Sequence, residues 1–341
     1  MISVIMPAYN AAGFIEKSAE SVLAQTYSDL ELIIVNDGSK DDTAAAAEKI
    51  AQRDGRVRVI SIENSGPANA RNCGMKHISE RAEYVTFIDS DDLMEKDALE
   101  YAAAAAEKGA EFVMMGFTIK NPDATERDYY EPEQYLDTSN LGEALPKLYM
   151  ANMLNQVWAK LYSVRLIREN DLRFPDYRWG EDRLFNFDVI EKAKLCAVLP
   201  ECKYYYIMQP GESLISRFYD LKPQVCCEAD DRMSELCRRF GTKDDSGCRY
   251  MFVKSIFSCM TNLYAPSCTL TYRQKREYVR AVIGSEQVRS RSRGVYGGAV
   301  EKIMCAVMRS GIVWLNMFMF RVVYAAGRLA PKLFLVLKHK K

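Results

Sequence analysis

Histidine is nearly missing from this chain: only His77 and His339 occur in 341 residues. That excludes a histidine-based catalytic triad and a conventional zinc site, and His77, on an expected helix, reads as structural or solvated. The ten cysteines contain no C-x-x-C pair and are scattered through expected helices and strands. This implies reduced thiols in a cytosolic setting rather than a disulfide framework. No G-x-x-x-x-G-K-[ST] precedes the acidic strand end near residue 90, which excludes a P-loop enzyme. No G-x-G-x-x-G follows the first strand either, which weakens a dinucleotide-binding reading. Net charge is absent as well, with 46 basic and 46 acidic residues, so nothing suggests a nucleic-acid partner. No signal peptide opens the chain, and the first residues read directly as a strand.

What is present is a substantial apolar content, 48% of residues, in a length that suits one large domain or two. The neutral balance hides an asymmetry. Residues 302–341 carry eight Lys or Arg and no acid, leaving 38 basic against 46 acidic residues in the remainder. A catalytic body with a basic, apolar tail is the simplest picture.

Apolar runs and breakers alternate regularly over the first 118 residues. Strands are expected at Ile2–Met6, Leu30–Val35, Val57–Ile62 and Tyr84–Ile88, with helices at Ala11–Gln25, Thr43–Arg53 and Ala68–Glu80 between them. Helix Lys96–Lys108 and strand Glu111–Phe117 continue the series. Runs buried on both faces argue a parallel sheet covered by helices. Beyond a polar stretch from Asn121 to Thr138, a helix is expected at Leu141–Met150, a short one before Asn170, another at Arg183–Ala193, and strand text within Cys196–Met208. Residues 222–330 read as helical throughout, which places a soft boundary near residue 215.

The strand at Tyr84 ends in Phe87-Ile88-Asp89-Ser90-Asp91-Asp92. In a parallel α/β sheet the carboxyl ends of strands face the ligand crevice. Side chains alternate along an extended chain, so Asp89 and Asp91 are expected on one face with Asp92 turned elsewhere. Two crowded carboxylates repel unless a cation lies between them, and carboxylate plus substrate phosphate is a usual way to hold Mg²⁺ or Mn²⁺. The same residues also read as an N-cap, Asp91 or Asp92, before a helix at 93–108. The first strand ends in Pro7-Ala8-Tyr9-Asn10 and the second in Asn36-Asp37-Gly38-Ser39. Tyr9 offers a stacking face for a nucleobase and Asp37 an acceptor for a base N–H, although both tetrapeptides are also turn chemistry.

These blocks, taken together, resemble family 2 glycosyltransferases, which have the GT-A fold. The matching text is Val4–Asn10, Ser21–Tyr27, Glu31–Ser39, Asp41–Thr43, Gly66–Asn72 and Phe87–Asp92, in the family's order and spacing. Weaker similarity continues through Trp158–Tyr162, Arg173-Phe174 and Glu181-Asp182 to about residue 216. The resemblance implies a GT-A catalytic domain over 1–215, with a nucleotide-binding half at 1–118 and an acceptor half at 119–215; the helical region at 216–341, with its basic amphipathic tail, is read from the sequence pattern and carries no such resemblance. It implies that Pro7, Ala8, Tyr9, Asp37, Arg71, Asp89 and Ser90 bind the donor and that Asp91, with Asp89, ligates Mg²⁺ or Mn²⁺. Asp182 is implied as the general base, with Glu181 beside it; acids at a helix start also answer the macrodipole. Trp158, Lys160 and Arg217 are candidate acceptor or phosphate contacts. Lys160 reads equally as structural, and the row Tyr204-Tyr205-Tyr206 reads more as strand packing than as a sugar platform. An Arg that the family often places after this row is replaced by Ile207-Met208-Gln209-Pro210.

The function so implied is inverting, metal-dependent transfer of a sugar, with a UDP-sugar as donor, to a glycan acceptor, lipid-linked, in bacterial polysaccharide biosynthesis. A non-catalytic nucleotide-binding scaffold at the membrane is the alternative. A nucleotidyltransferase would want a Gly-rich phosphate loop near the first strand. Gly311–Ala326 is almost wholly apolar apart from Asn316 and Arg321, and Arg328 and then Pro331 follow it. At about 100° per residue, Arg321, Arg328 and Lys332 share one side, the pattern of an interfacial helix facing anionic lipid. A buried bundle helix with a solvated basic face is the other reading. Peripheral attachment at the inner face of the cell membrane is therefore expected, and a homodimer is left open.

Overall fold

The computed structural model describes residues 1–122, 126–209, 217–294 and 297–329. They fall into two compact units, Met1–Pro210 and Gly211–Lys341.

The first unit is built on one mixed sheet. Its elements are β1 (Ile2–Ala8), α1 (Ile15–Leu23), β2 (Leu30–Asp37), α2 (Thr43–Arg53), β3 (Val57–Ile62), α3 (Pro67–Lys76), β4 (Tyr84–Phe87), β5 (Leu93–Met94), α4 (Ala98–Glu107) and β6 (Phe112–Lys120). They continue with β7 (Glu126–Tyr129), β8 (Gln134–Leu136), α5 (Leu141–Met150), β9 (Lys160–Ser163), α6 (Val164–Glu169), α7 (Glu181–Lys192) and β10 (Cys196–Ile207). The strand order is β3-β2-β1-β4-β9-β6-β10-β5, with β7 on β6 and β8 on β10. β1 pairs in parallel with both β2 and β4, and β2 with β3. Chain order therefore runs outward from β1 to β3 and then reverses to β4. That reversal creates a crevice at the carboxyl ends of β1 and β4, the usual ligand position in an open α/β sheet.

Burial explains the strands. Every residue of β2 is buried, as expected of a strand covered on both faces. Gly74 of α3 lets that helix lie directly on β1, because a Cβ there would fall 2.5 Å from Ile5 Cγ2.

β9 inserts antiparallel between β4 and β6. Three expectations differ from the structure. The helix expected from Ala11 begins at Ile15, because the Ala11 and Ala12 N–H groups are taken by Thr43 Oγ1 and Asp41 Oδ2 at 2.7 and 3.2 Å. The N-cap reading of Asp91 or Asp92 fails, since α4 begins at Ala98 behind Asp97. Leu93 and Met94 instead pair antiparallel with Tyr205 and Tyr204 of β10. The helix expected at Arg183 starts two residues earlier, so Glu181 and Asp182 occupy its first turn.

The second unit is helical: α8 (Lys222–Arg239), α9 (Ser246–Asn262), α10 (Tyr272–Gly284), α11 (Glu286–Arg291), α12 (Ala299–Arg309) and α13 (Val313–Leu329). A capping box of Thr271 and Gln274 starts α10. Arg291 bonds the buried Asp230 of α8 at 2.8 Å, joining α11 to α8. Pro331 and Lys332, which belong to the amphipathic pattern in the sequence, lie outside the described residues.

Candidate active site

The loops at the carboxyl ends of β1 and β2 bind one another before any ligand is considered. Asn10, at φ 51°, donates from its N–H to Ser39 Oγ and accepts from the Lys40 N–H at 3.1 and 2.9 Å. Tyr9, 47% exposed, leaves its ring open to solvent, while Ala8 beside it is buried and Pro7 partly so. Asp37 is buried and takes both oxygens into the next connection: Oδ1 accepts from the Ser65 N–H at 2.8 Å and Oδ2 from the Gly66 N–H at 2.9 Å. Gly38 has φ 65°, and a Cβ there would lie 2.6 Å from Asn64 N, so the turn admits no side chain.

Gly66 introduces α3, and α3 delivers Arg71. This side chain is 5% exposed and gathers three carboxylates from two other elements. Nη2 donates to Asp89 Oδ1 at 3.0 Å, and Nη1 to Glu181 Oε1 at 3.1 Å and to Asp182 Oδ1 at 2.9 Å. Burial alone would lower its proton affinity, but Asp182, Asp89 and Glu181 outweigh it and hold the guanidinium charged. The ring of Phe174 lies 5.6 Å from the guanidinium carbon.

The opposite balance governs the acids. Burial pushes Asp182 up to about 7, against the attraction of Arg71 and with the repulsion of Glu181 and Asp89. Glu181 is raised by burial, again opposed by Arg71. Glu181 and Asp182 reach Arg71 because Gly180 adopts φ 84°, a left-handed turn that starts α7.

Lys160, on β9, is 1% exposed and donates to the Trp158 carbonyl at 3.3 Å. Burial lowers it to about 7, while Asp182 acts to raise it. Trp158 is packed rather than open: it stacks on Tyr204 and Tyr206 with centroids 4.6 and 5.6 Å apart. Arg217 is an exposed residue of the second unit.

The acidic turn after β4 divides its carboxylates. Asp89 faces Arg71, and Ser90 is buried. Asp92 is fully buried, accepting from the Tyr204 hydroxyl at 2.7 Å and the Ile207 N–H at 2.8 Å. The same hydroxyl accepts from the Asp89 N–H at 3.2 Å, so Tyr204 pins both ends of the turn. No side chain among the described residues donates to Asp91, and burial first, then Asp89, push it up to about 6. Two crowded oxygen donors suit a hard divalent cation whose remaining ligands are phosphate and water. Among the described residues, no group of three or more His, Cys, Asp or Glu side chains is placed to hold a metal.

Two residues that sequence reasoning did not assign hold this arrangement. Tyr204 was read within a row of packing tyrosines. Asn72, next to Arg71, bonds Phe174 at both backbone groups: its Oδ1 accepts from the Phe174 N–H and its Nδ2 donates to the Phe174 carbonyl, each at 2.9 Å. Phe174 then stacks on Phe185 of α7 at 4.1 Å. The only signal available was that Asn72 and Phe174 both fall within the quoted motif blocks.

The model of the Glycosyl transferase family 2 matches residues 3–170. The Bacillus subtilis (strain 168) protein described as "Uncharacterized glycosyltransferase EpsJ" is 34% identical over 217 residues, covering 62% of this chain and 62% of that protein. A crystal structure of S. aureus TarS 1–349 in complex with UDP-GlcNAc superposes with a TM-score of 0.66 at 19% identity, covering 96% of this chain and 91% of that one. The mannosyltransferase PcManGT from Pyrobaculum calidifontis, in complex with GDP-Man and Mn²⁺, gives a TM-score of 0.52 at 15% identity, covering 97% and 87%. At these identities the two structures speak for the fold, a mostly parallel mixed sheet flanked by helices.

Proposed function

The chain belongs to glycosyl transferase family 2, and from that membership we propose that it transfers a sugar from a nucleotide-sugar donor, a UDP-sugar, to an acceptor hydroxyl with inversion, in building a bacterial surface polysaccharide. The observation that carries this reading is the Arg71 junction, which draws Asp89 from the end of β4 and Asp182 from the start of α7 to one guanidinium. The UDP-GlcNAc bound by TarS and the GDP-Man bound by PcManGT support a nucleotide-sugar as the ligand class.

Each residue has a role that its position permits. Tyr9 provides the exposed stacking face for the base, beside Pro7 and Ala8, and Asp37 an acceptor at the base edge. Arg71 is a positioning residue that holds Asp89 and Asp182 in register. Asp89 and Asp91 would hold Mg²⁺ or Mn²⁺, which when bound neutralises charge on the departing diphosphate. Asp182 takes the proton of the attacking acceptor hydroxyl, and its elevated proton affinity suits a general base working near neutrality. One base and one in-line attack invert the anomeric carbon.

Asp182→Asn is expected to lower turnover by about 10²–10⁴-fold while leaving donor binding nearly unchanged. Measuring donor binding by titration alongside turnover separates the two; full turnover in the variant overturns the base assignment. A panel of nucleotide sugars screened for hydrolysis and thermal stabilisation identifies the donor.

The acceptor we infer is lipid-linked, with the chain held peripherally at the inner face of the cell membrane. Supporting this, Trp314 and Phe318 on α13 are 66% and 64% exposed, with Val322 and Arg321 exposed beside them. Residues four apart lie about 40° apart around a helix, so these three apolar side chains form one ridge, flanked by Arg321 and Arg328. Among the described residues no helix is long and apolar enough to cross a membrane, and a surface helix needs no such length.

A further inference from the structure

We propose that α8 and α9 form a twin dithiol site at which two disulfides close, Cys226 with Cys259 and Cys237 with Cys248. This goes beyond the glycosyl-transfer reading and does not depend on it. All ten cysteines are thiols, yet these four meet as two facing pairs. The sulfurs of Cys226 and Cys259 are 3.7 Å apart, and those of Cys237 and Cys248 are 3.8 Å apart. All four side chains are buried.

The register argues for a designed seam. The partners lie 33 and 11 residues apart in sequence, and the inner pair is nested inside the outer. Cys226 to Cys237 on α8 and Cys248 to Cys259 on α9 span the same eleven-residue step. Eleven residues bring a helix back to within about 20° of the same face after three turns. Both pairs therefore sit on one stripe of an antiparallel hairpin, three turns apart, as two rungs of the same ladder. The sulfurs are already in contact, and closing either rung shortens that separation to a bond of about 2.05 Å.

The oxidant is a small-molecule disulfide. In the inner rung the Cys237 thiolate attacks one sulfur of that disulfide, forming a mixed disulfide and expelling one thiolate. Cys248 then loses its proton and attacks the Cys237 sulfur, expelling the second thiolate. The protein pair loses two electrons and two protons, and the small disulfide gains both as two thiols. Either thiol of this rung can be the hydrogen-bond donor to the other, and the Cys237 thiol is held below its ordinary value by that bond, against burial. The outer rung follows the same exchange and closes the longer loop, so it restricts the unfolded chain more.

The test uses the full chain, reduced and desalted, then equilibrated in a series of reduced and oxidised dithiothreitol mixtures. After acid quenching, free thiols are alkylated in denaturant and the peptides mapped by mass. The expected result is a fall from ten alkylated cysteines to six, with Cys226–Cys259 and Cys237–Cys248 as the linked peptides. The thermal midpoint is expected to rise on oxidation and return on reduction. The double variants Cys226→Ser/Cys259→Ser and Cys237→Ser/Cys248→Ser should each retain the other link. Because the rungs are buried, the same series is repeated during refolding from denaturant. Ten alkylated thiols in both series, or linkage of other cysteines such as the adjacent Cys227, overturns the proposal.

Discussion

At the scale of single residues, the site turns on how burial and charge are balanced around Arg71. Asp182 keeps its proton up to about 7 because burial outweighs the guanidinium. Turnover is therefore expected to rise as pH increases through about 7, where the proposed base becomes free to accept a proton; a rate profile from pH 5 to 9 checks this. Stability should move the other way. Asp182 and Asp91 hold protons in the folded state up to about 7 and 6, against an ordinary value of 3.8. Between that value and about 7 the folded chain binds more protons than the unfolded one, so these two groups lower stability as pH rises across the window. Lys160, lowered to about 7 from 10.5, acts oppositely above neutrality, where the unfolded chain binds the extra proton. Urea unfolding at pH 4.5, 7 and 9 measures both slopes.

Tyr204 is the other residue whose loss should be felt directly. Its hydroxyl serves Asp92 and the Asp89 N–H together. Tyr204→Phe keeps the stack on Trp158 but leaves a buried carboxylate oxygen and a backbone donor without that partner. The expected cost is about 1–3 kcal/mol, read as a lower denaturation midpoint, with weaker donor binding as the acidic turn loosens.

At the scale of elements, the loop before α7 explains how two parts of the chain far apart in sequence reach one guanidinium. Asn72 extends α3 to the Phe174 backbone, and Phe174 packs on Phe185 of α7. Asn72→Ala removes both bonds, each of the kind that contributes about 0.5–1.5 kcal/mol. Turnover is expected to fall by about 10–100-fold, since a small misplacement of a catalytic group is costly. Donor affinity should change less, and comparing kcat with the donor dissociation constant distinguishes misplacement from loss of the pocket.

The strand and helix series of the first unit was legible because its strands are continuous apolar runs and its breakers are Gly, Pro, Asn and Asp. Val57–Ile62 and Leu141–Met150 have the expected limits. What the sequence hid was decided by partners distant along the chain. Leu93 and Met94 fall where a helix is expected but join β10, and the start of α1 is delayed where Thr43 and Asp41 take the N–H groups of Ala11 and Ala12. The carboxylates of the acidic turn were legible as a cluster with Asp92 turned away from Asp91, but not the partner that holds Asp92, Tyr204, 112 residues away.

At the scale of the whole molecule, each unit has a distinct chemistry. The first presents the carboxyl ends of β1, β2 and β4, with their polar and acidic side chains. The second carries the basic residues and exposed apolar ridge of α13. If that ridge meets lipid, Trp314→Ala/Phe318→Ala should reduce co-flotation with anionic vesicles by about tenfold or more, since each large apolar side chain contributes about 1.5–3 kcal/mol on burial. Neutral vesicles should bind the unaltered chain more weakly, and equal flotation of the unaltered chain and the double variant on both lipids would count against an anionic membrane surface.

The sequence by itself determined the fold class and the identity of the candidate acids, because apolar periodicity, turn residues and motif spacing are local properties of a chain. Only the tertiary structure decided which acids meet and which is buried apart from the others. Arg71 and Asp89 join Glu181 and Asp182 in one ionic cluster, and Asp92 becomes a buried tie to Tyr204, through contacts that span more than a hundred residues. Burial and pairing, which set the proton affinity of a carboxylate, exist only once those contacts form.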